Sequence, residues 1–187
     1  MRVSLLVLLV LPFLFSGIGC VMTPKQPELH DFGLPISSSS RNDNPPSKPT
    51  ISIDAPTWLW DNRIRYRLLY ASPTHVGFYA LDQWIASPPE LFQQQLINGG
   101  KTPAYPLLIQ LLEFEQQFDA PDKARVVLSF SVEAFSPDNK RKLGMQLFRL
   151  EQTAITPDAS GAVKGFSQLV AQADKQIHAW AEGLPTK

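Results

Sequence analysis

Apolar and polar residues alternate with a period of two over most of the stretch from 51 to 154, and with a period of three to four in two segments. These are the signatures of half-buried strands and amphipathic helices. The plainest alternation is in 124–135, where Val126, Leu128, Phe130, Val132 and Ala134 share one face and Val127, Ser129, Ser131 and Glu133 the other. Further strands are predicted over 107–118 and 143–154, joined to it by turn-forming Asp119-Ala120-Pro121-Asp122 and Ser136-Pro137-Asp138-Asn139. Upstream, Ile51 and Ile53 alternate with Ser52 and Asp54. In 63–70, Ile64, Tyr66, Leu68 and Tyr70 point one way while Arg63, Arg65 and Arg67 point the other. A short strand over 76–81 makes a hairpin with it across Ala71-Ser72-Pro73-Thr74.

Ser87-Pro88-Pro89-Glu90 has the spacing of a capping box with proline in the first turn, so it predicts a helix running to Asn98 and ended by Gly99-Gly100. A longer helix is expected over 162–182, with Val163, Phe166, Leu169, Val170, Ala173, Ile177 and Trp180 on one stripe and Gly183 and Pro185 beyond it. The fold expected is α+β: an antiparallel sheet with two helices packed on one face.

The amino terminus follows a different pattern. Met1 and Arg2 precede an apolar run over 3–15, interrupted by Pro12, and then Ser16-Gly17-Ile18-Gly19 and Cys20. A charged start, a short apolar middle and small residues form a signal peptide, expected to be residues 1–19. A membrane-spanning helix would need about 20 apolar residues. Cys20 is the chain's sole cysteine, so it has no internal disulfide partner, and its place after Gly19 fits a lipoprotein acylation site. Gly17 stands where that motif usually has Leu. Val21, in place of the Asp that marks inner-membrane retention, favours the outer membrane.

Residues 20–50 hold six prolines between 21 and 50, and the run Ser37-Ser38-Ser39-Ser40. This composition buries too little surface to offset its ordering entropy, so the segment reads as a lipidated flexible tether of about 30 Å, at 5–6 Å × √n. One island interrupts it: His30-Asp31-Phe32-Gly33-Leu34, expected to dock as an edge strand near 30–34. Residues 51–187 then form a single α+β domain.

The 17 basic and 17 acidic residues of the chain cancel, which leaves no nucleic-acid footprint. His30, His75 and His178 are scattered through the sequence, and no glycine-rich phosphate loop occurs. Glu113 and Glu115 share a strand face but have no reactive companion in sequence, so they read as a solvated pair. No catalytic residue, cofactor or metal is expected. The row Arg63, Arg65, Arg67 is the candidate contact for a partner or for lipid headgroups, against the plainer reading of an edge strand's solvent face. Trp58, Trp60 and Trp84 are candidates for core packing or for a contact patch.

Taken in order, His30-Asp31-Phe32-Gly33-Leu34, Ile64-Arg65-Tyr66-Arg67-Leu68, Phe78-Tyr79 with Trp84 and the proline-rich helix start, and Leu112-Glu113-Phe114-Glu115-Gln116-Gln117-Phe118 form a set. That set resembles the ABC-type transport auxiliary lipoprotein family, which includes the paraquat-inducible lipoprotein that accompanies MCE proteins. The resemblance implies a noncatalytic, lipid-anchored protein on the periplasmic face of the outer membrane. It would act beside an MCE-domain protein and an ABC permease and ATPase to move lipids or other apolar compounds between membranes. A homo-oligomer is compatible with this reading, although no residue pattern demands one. The alternatives are an outer-membrane assembly or pilotin-type lipoprotein that binds a barrel or secretin, and an enzyme or small-ligand carrier.

Overall fold

The strongest alternating stretch forms the centre of the sheet. In the computed structural model, which describes residues 25–33, 51–99 and 103–185, strand β6 (Lys123–Phe135) lies between β5 (Leu107–Ala120) and β7 (Lys142–Thr153), antiparallel to both. The signal segment, Cys20 and the serine run 37–40 lie outside the described residues. Four more strands complete a seven-stranded sheet: β1 (Glu28–His30), β2 (Ile51–Asp54), β3 (Arg63–Leu68) and β4 (Val76–Trp84). The order is β1-β4-β3-β5-β6-β7, with β2 also paired to β5. Helices α1 (Pro88–Asn98) and α2 (Ala159–Glu182) complete the fold.

The sheet is mixed, which corrects the antiparallel expectation. β1 runs parallel to β4, and β2 and β3 both run parallel to β5, end to end along one of its edges. Short turns fix β3–β4 and β5–β6–β7 as antiparallel neighbours. Between these blocks, however, the chain passes through α1, and such a crossover returns the next strand beside a non-consecutive neighbour in the same direction. Local turn chemistry carries no information about that pairing. One consequence falls on the arginine row: β3 is an interior strand, flanked by β4 and β5.

Both helices pack on one face. Phe92 of α1 meets Phe130 of β6 edge to face at 5.3 Å, and Phe166 of α2 stacks on Phe114 of β5 at 3.8 Å. Trp84, 1% exposed, joins this cluster from β4. Gly165 lets α2 approach the sheet closely, because a Cβ there would come within 2.6 Å of Val126. At the start of α1 the Glu90 carboxylate accepts hydrogen bonds from the Ser87 amide at 2.9 Å and its hydroxyl at 2.6 Å, and these hold its pKa below the ordinary glutamate value. α2 begins three residues before the expected position, where Asp158 accepts from the Gly161 amide at 2.8 Å.

A register shift after Leu111 reverses the phase of β5. Leu107, Ile109 and Leu111 point to the helices before it, and Phe114, Gln116 and Phe118 after it. The single extra residue is a bulge. It places Glu113, Glu115 and Gln117 together on the opposite, outer face.

The expected edge strand near 30–34 lies slightly earlier, at Glu28–His30, and docks on β4. Phe32 is 7% exposed and meets Trp84 edge to face at 5.3 Å, while its carbonyl accepts from the Ser167 hydroxyl of α2 at 2.7 Å. Burying a phenylalanine is worth about 1.5–3 kcal/mol. The stretch read as tether is therefore pinned to the domain at 28–33.

Candidate functional site on the outer face of the sheet

The outer face is built in rows across β5, β6 and β7. At one end the rows are Glu113–Ser129–Arg149, Glu115–Val127–Glu151 and Gln117–Arg125–Thr153. At the other they are Leu108–Glu133–Met145 and Gln110–Ser131–Leu147. One half is thus charged, and the other mixes Leu108, Met145 and Leu147 with Glu133, Gln110 and Ser131.

In the charged half the groups satisfy one another. Arg67 donates to both oxygens of Glu115, at 2.8 and 3.1 Å, a bidentate pair of fixed geometry. Gln117 donates to Glu113 at 2.7 Å and to Glu115 at 3.0 Å. Arg149 bridges Glu113 and Glu151, and Arg125 bridges Asp119, Gln117 and Glu151. Glu115 is 7% exposed, so the pair expected to be solvated is instead embedded in a cross-strand network. The reason is β3: because that strand is interior, Arg67 lies beside β5 rather than in solvent.

The arginine row divides into three environments. Arg63 is paired with Asp61 and its guanidinium carbon sits over the Phe78 ring, 3.7 Å from its centroid. The same hydrogen bond lowers the Asp61 pKa and raises that of Arg63. Arg67 is held by Glu115, which raises its pKa. Arg65 donates to the Trp58 carbonyl and, among the described residues, has no carboxylate within ion-pair distance. Burial, as the largest cause, lowers its pKa from the ordinary arginine value, so its charge is incompletely solvated.

Arg65 and Arg67 line a cleft of about 550 Å³ with Trp58, Leu112 and Glu115. Trp58 is 61% exposed, at its rim. The cleft, which Glu113 also lines, sets the Arg65 guanidinium beside an indole and a leucine, a mixed polar and apolar surface. Next to it the other half of the face exposes Leu108, Leu112, Met145 and Leu147. No described element covers them. Of the three tryptophans singled out in the sequence, Trp84 is core and Trp58 and Trp60 are exposed. The apolar patch itself escaped the sequence reading, since Leu108, Met145 and Leu147 acquire a common face only through cross-strand register.

Sequence separation hid a second grouping. Parallel pairing of β1 with β4 sets Glu28 opposite Asp82, and His30 Nε2 lies 2.9 Å from Asp82 Oδ1. One nitrogen and two carboxylate oxygens lie within 4.8 Å of one another there, a donor set of the size for a divalent cation. The hydrogen bond gives His30 and Asp82 a docking role without one. His178 is buried on α2, whereas His75 is exposed in a turn. Among the described residues no helix is long and apolar enough to cross a membrane. Cys20 lies outside them.

No family model matches the chain, and no curated protein is similar to it in sequence. Solved structures share its fold. Protein XCC0632 from Xanthomonas campestris, described as a member of family DUF330, superposes with a TM-score of 0.62 at 16% identity, over 73% of this chain and 87% of that one. A second crystal structure, of an uncharacterized protein, gives 0.60 at 13% identity over 82% and 97%.

Proposed function

We propose that the chain is a noncatalytic, lipid-anchored periplasmic component of an ABC/MCE-type transport system, and that the outer face of its sheet receives the partner. The observation that carries this reading is the fold shared with a DUF330 protein, which is consistent with the family the ordered sequence motifs resemble. Cys20 bears the lipid and fixes the protein to the periplasmic face of the outer membrane. The MCE-domain protein, or the permease and ATPase behind it, is the partner, and lipids or other apolar compounds are the cargo of the assembly. The geometry of the outer face suits such a role. Its charged groups are already paired, which keeps them from opposing association, while Arg65, Trp58 and the neighbouring leucines offer a mixed polar and apolar contact.

Recovery of the tagged protein from solubilised envelope tests the reading. MCE or ABC subunits are expected in the eluate; an eluate without them sinks the proposal. Exchange of Cys20 for alanine is expected to abolish palmitate labelling and free the protein from the envelope.

A further inference from the structure

The length of chain between Cys20 and the first docked strand limits where the domain sits. Lys25 is the first described residue and β1 begins at Glu28. Five residues from Cys20 to Lys25 span about 17 Å when fully extended, at 3.3–3.6 Å per residue. The tether is therefore short. A lipid on Cys20 holds the β1–β4 edge near the bilayer, and the serine-rich 37–40 stretch, which follows β1, adds nothing to that reach.

That same edge carries exposed aliphatic side chains. Leu29 is 58% exposed and registers with Gln83 of β4, whose neighbours two residues away on either side, Leu81 and Ile85, are 43% and 60% exposed. The Ile85 amide donates to the His30 carbonyl at 2.9 Å, which fixes Ile85 beside β1. Sheet edges normally avoid such exposure, because unpaired strands with apolar side chains invite association. Exposed aliphatic side chains within reach of the anchor have one natural occupant: the interfacial zone of the bilayer, where apolar side chains leave water.

We infer that the β1–β4 edge, through Leu29, Leu81 and Ile85, rests on the membrane surface and orients the anchored domain. This deepens the proposed function and rests on lipidation of Cys20. The orientation has a consequence for the partner. β7 stands five strand intervals from β1, about 24 Å at 4.7–4.9 Å each, so Met145 and Leu147 face the compartment rather than the bilayer.

The test uses the lipidated full chain on vesicles of phosphatidylethanolamine and phosphatidylglycerol. A polarity-sensitive nitrobenzoxadiazole probe is attached to Ile85→Cys, or in separate preparations to Leu81→Cys or Leu147→Cys, with native Cys20 blocked by its acyl groups. All preparations should float with the vesicles. The probes at 85 and 81 should shift to the blue, brighten several-fold and be quenched by nitroxide lipids, while the probe at 147 stays as in water. Flotation with the 85 and 81 probes as water-exposed as that at 147 overturns the orientation and leaves the anchor standing. Failure to float removes the anchor, and the orientation falls with it.

Discussion

The two faces of the sheet are made from alternate residues of the same strands, yet they are finished differently. On the inner face aromatic side chains interlock: Phe130 of β6 lies between Phe92 and Phe148, and Phe114 of β5 stacks on Phe166. Gln116, fully buried there, accepts from the Tyr79 hydroxyl at 2.6 Å and donates to the Asp158 carbonyl at 3.2 Å. On the outer face, charged residues pair with one another and the apolar residues beside them are left bare. Packing of the first kind is what a fold needs. Exposure of the second kind does nothing for folding, and under the proposed function it serves contact with another molecule.

If this division is right, the largest loss comes from the inner face. Phe166, 1% exposed and stacked on Phe114, is expected to cost about 3–5 kcal/mol on replacement by alanine. Thermal unfolding should then fall by roughly 10 °C, at 2–4 °C per kcal/mol. A loss below about 1 kcal/mol would show that the aromatic stack is not what holds helix to sheet.

An intermediate loss is expected at the seam between helix layer and sheet. Asp158 caps α2 with its carboxylate while its carbonyl receives Gln116. Its pKa is held below the ordinary aspartate value, first by the Thr156 hydroxyl and then by the Gly161 amide. A depressed carboxylate pKa stabilises the folded state above the unfolded-state value, and the contribution is lost as pH falls through the folded-state value. Asp158→Ala should therefore cost about 1 kcal/mol at neutral pH, in the range for lost helix caps. Urea titrations of the two proteins should converge in acid. A gap that persists there would assign the effect to something other than the ionised carboxylate.

The same contrast explains what could be read from the sequence. β5, β6, β7 and both helices are governed by local periodicity, turn residues and caps, and all five lie close to where Val126 to Ala134, Ser87 and the Phe166 stripe place them. What was illegible depends on partners distant in sequence. Nothing near Arg67 announces Glu115, 48 residues on, and nothing in residues 28–33 announces Asp82 or Ser167. The bulge after Leu111 hides which face of the sheet Glu113, Glu115 and Gln117 share. The apolar patch is less legible still, because Leu108 and Met145 come from strands that flank β6 and meet only through its register.

The smallest effect on stability is expected on the outer face, and it decides the most. Met145 and Leu147 are 58% and 59% exposed. Their replacement by serine forfeits little burial, so each should change stability by no more than about 0.5 kcal/mol. If the face exists for a partner, the Met145→Ser, Leu147→Ser double variant should melt with the parent yet recover markedly less MCE or ABC subunit from solubilised envelope. A variant that melts well below the parent would mean that these residues pack in the folded domain, and the two faces would not differ as described. Normal stability with undiminished recovery would leave the patch without a role in partner binding and shift attention to the cleft at Trp58 and Arg65. The two readouts together thus separate a face kept for folding from one kept for recognition.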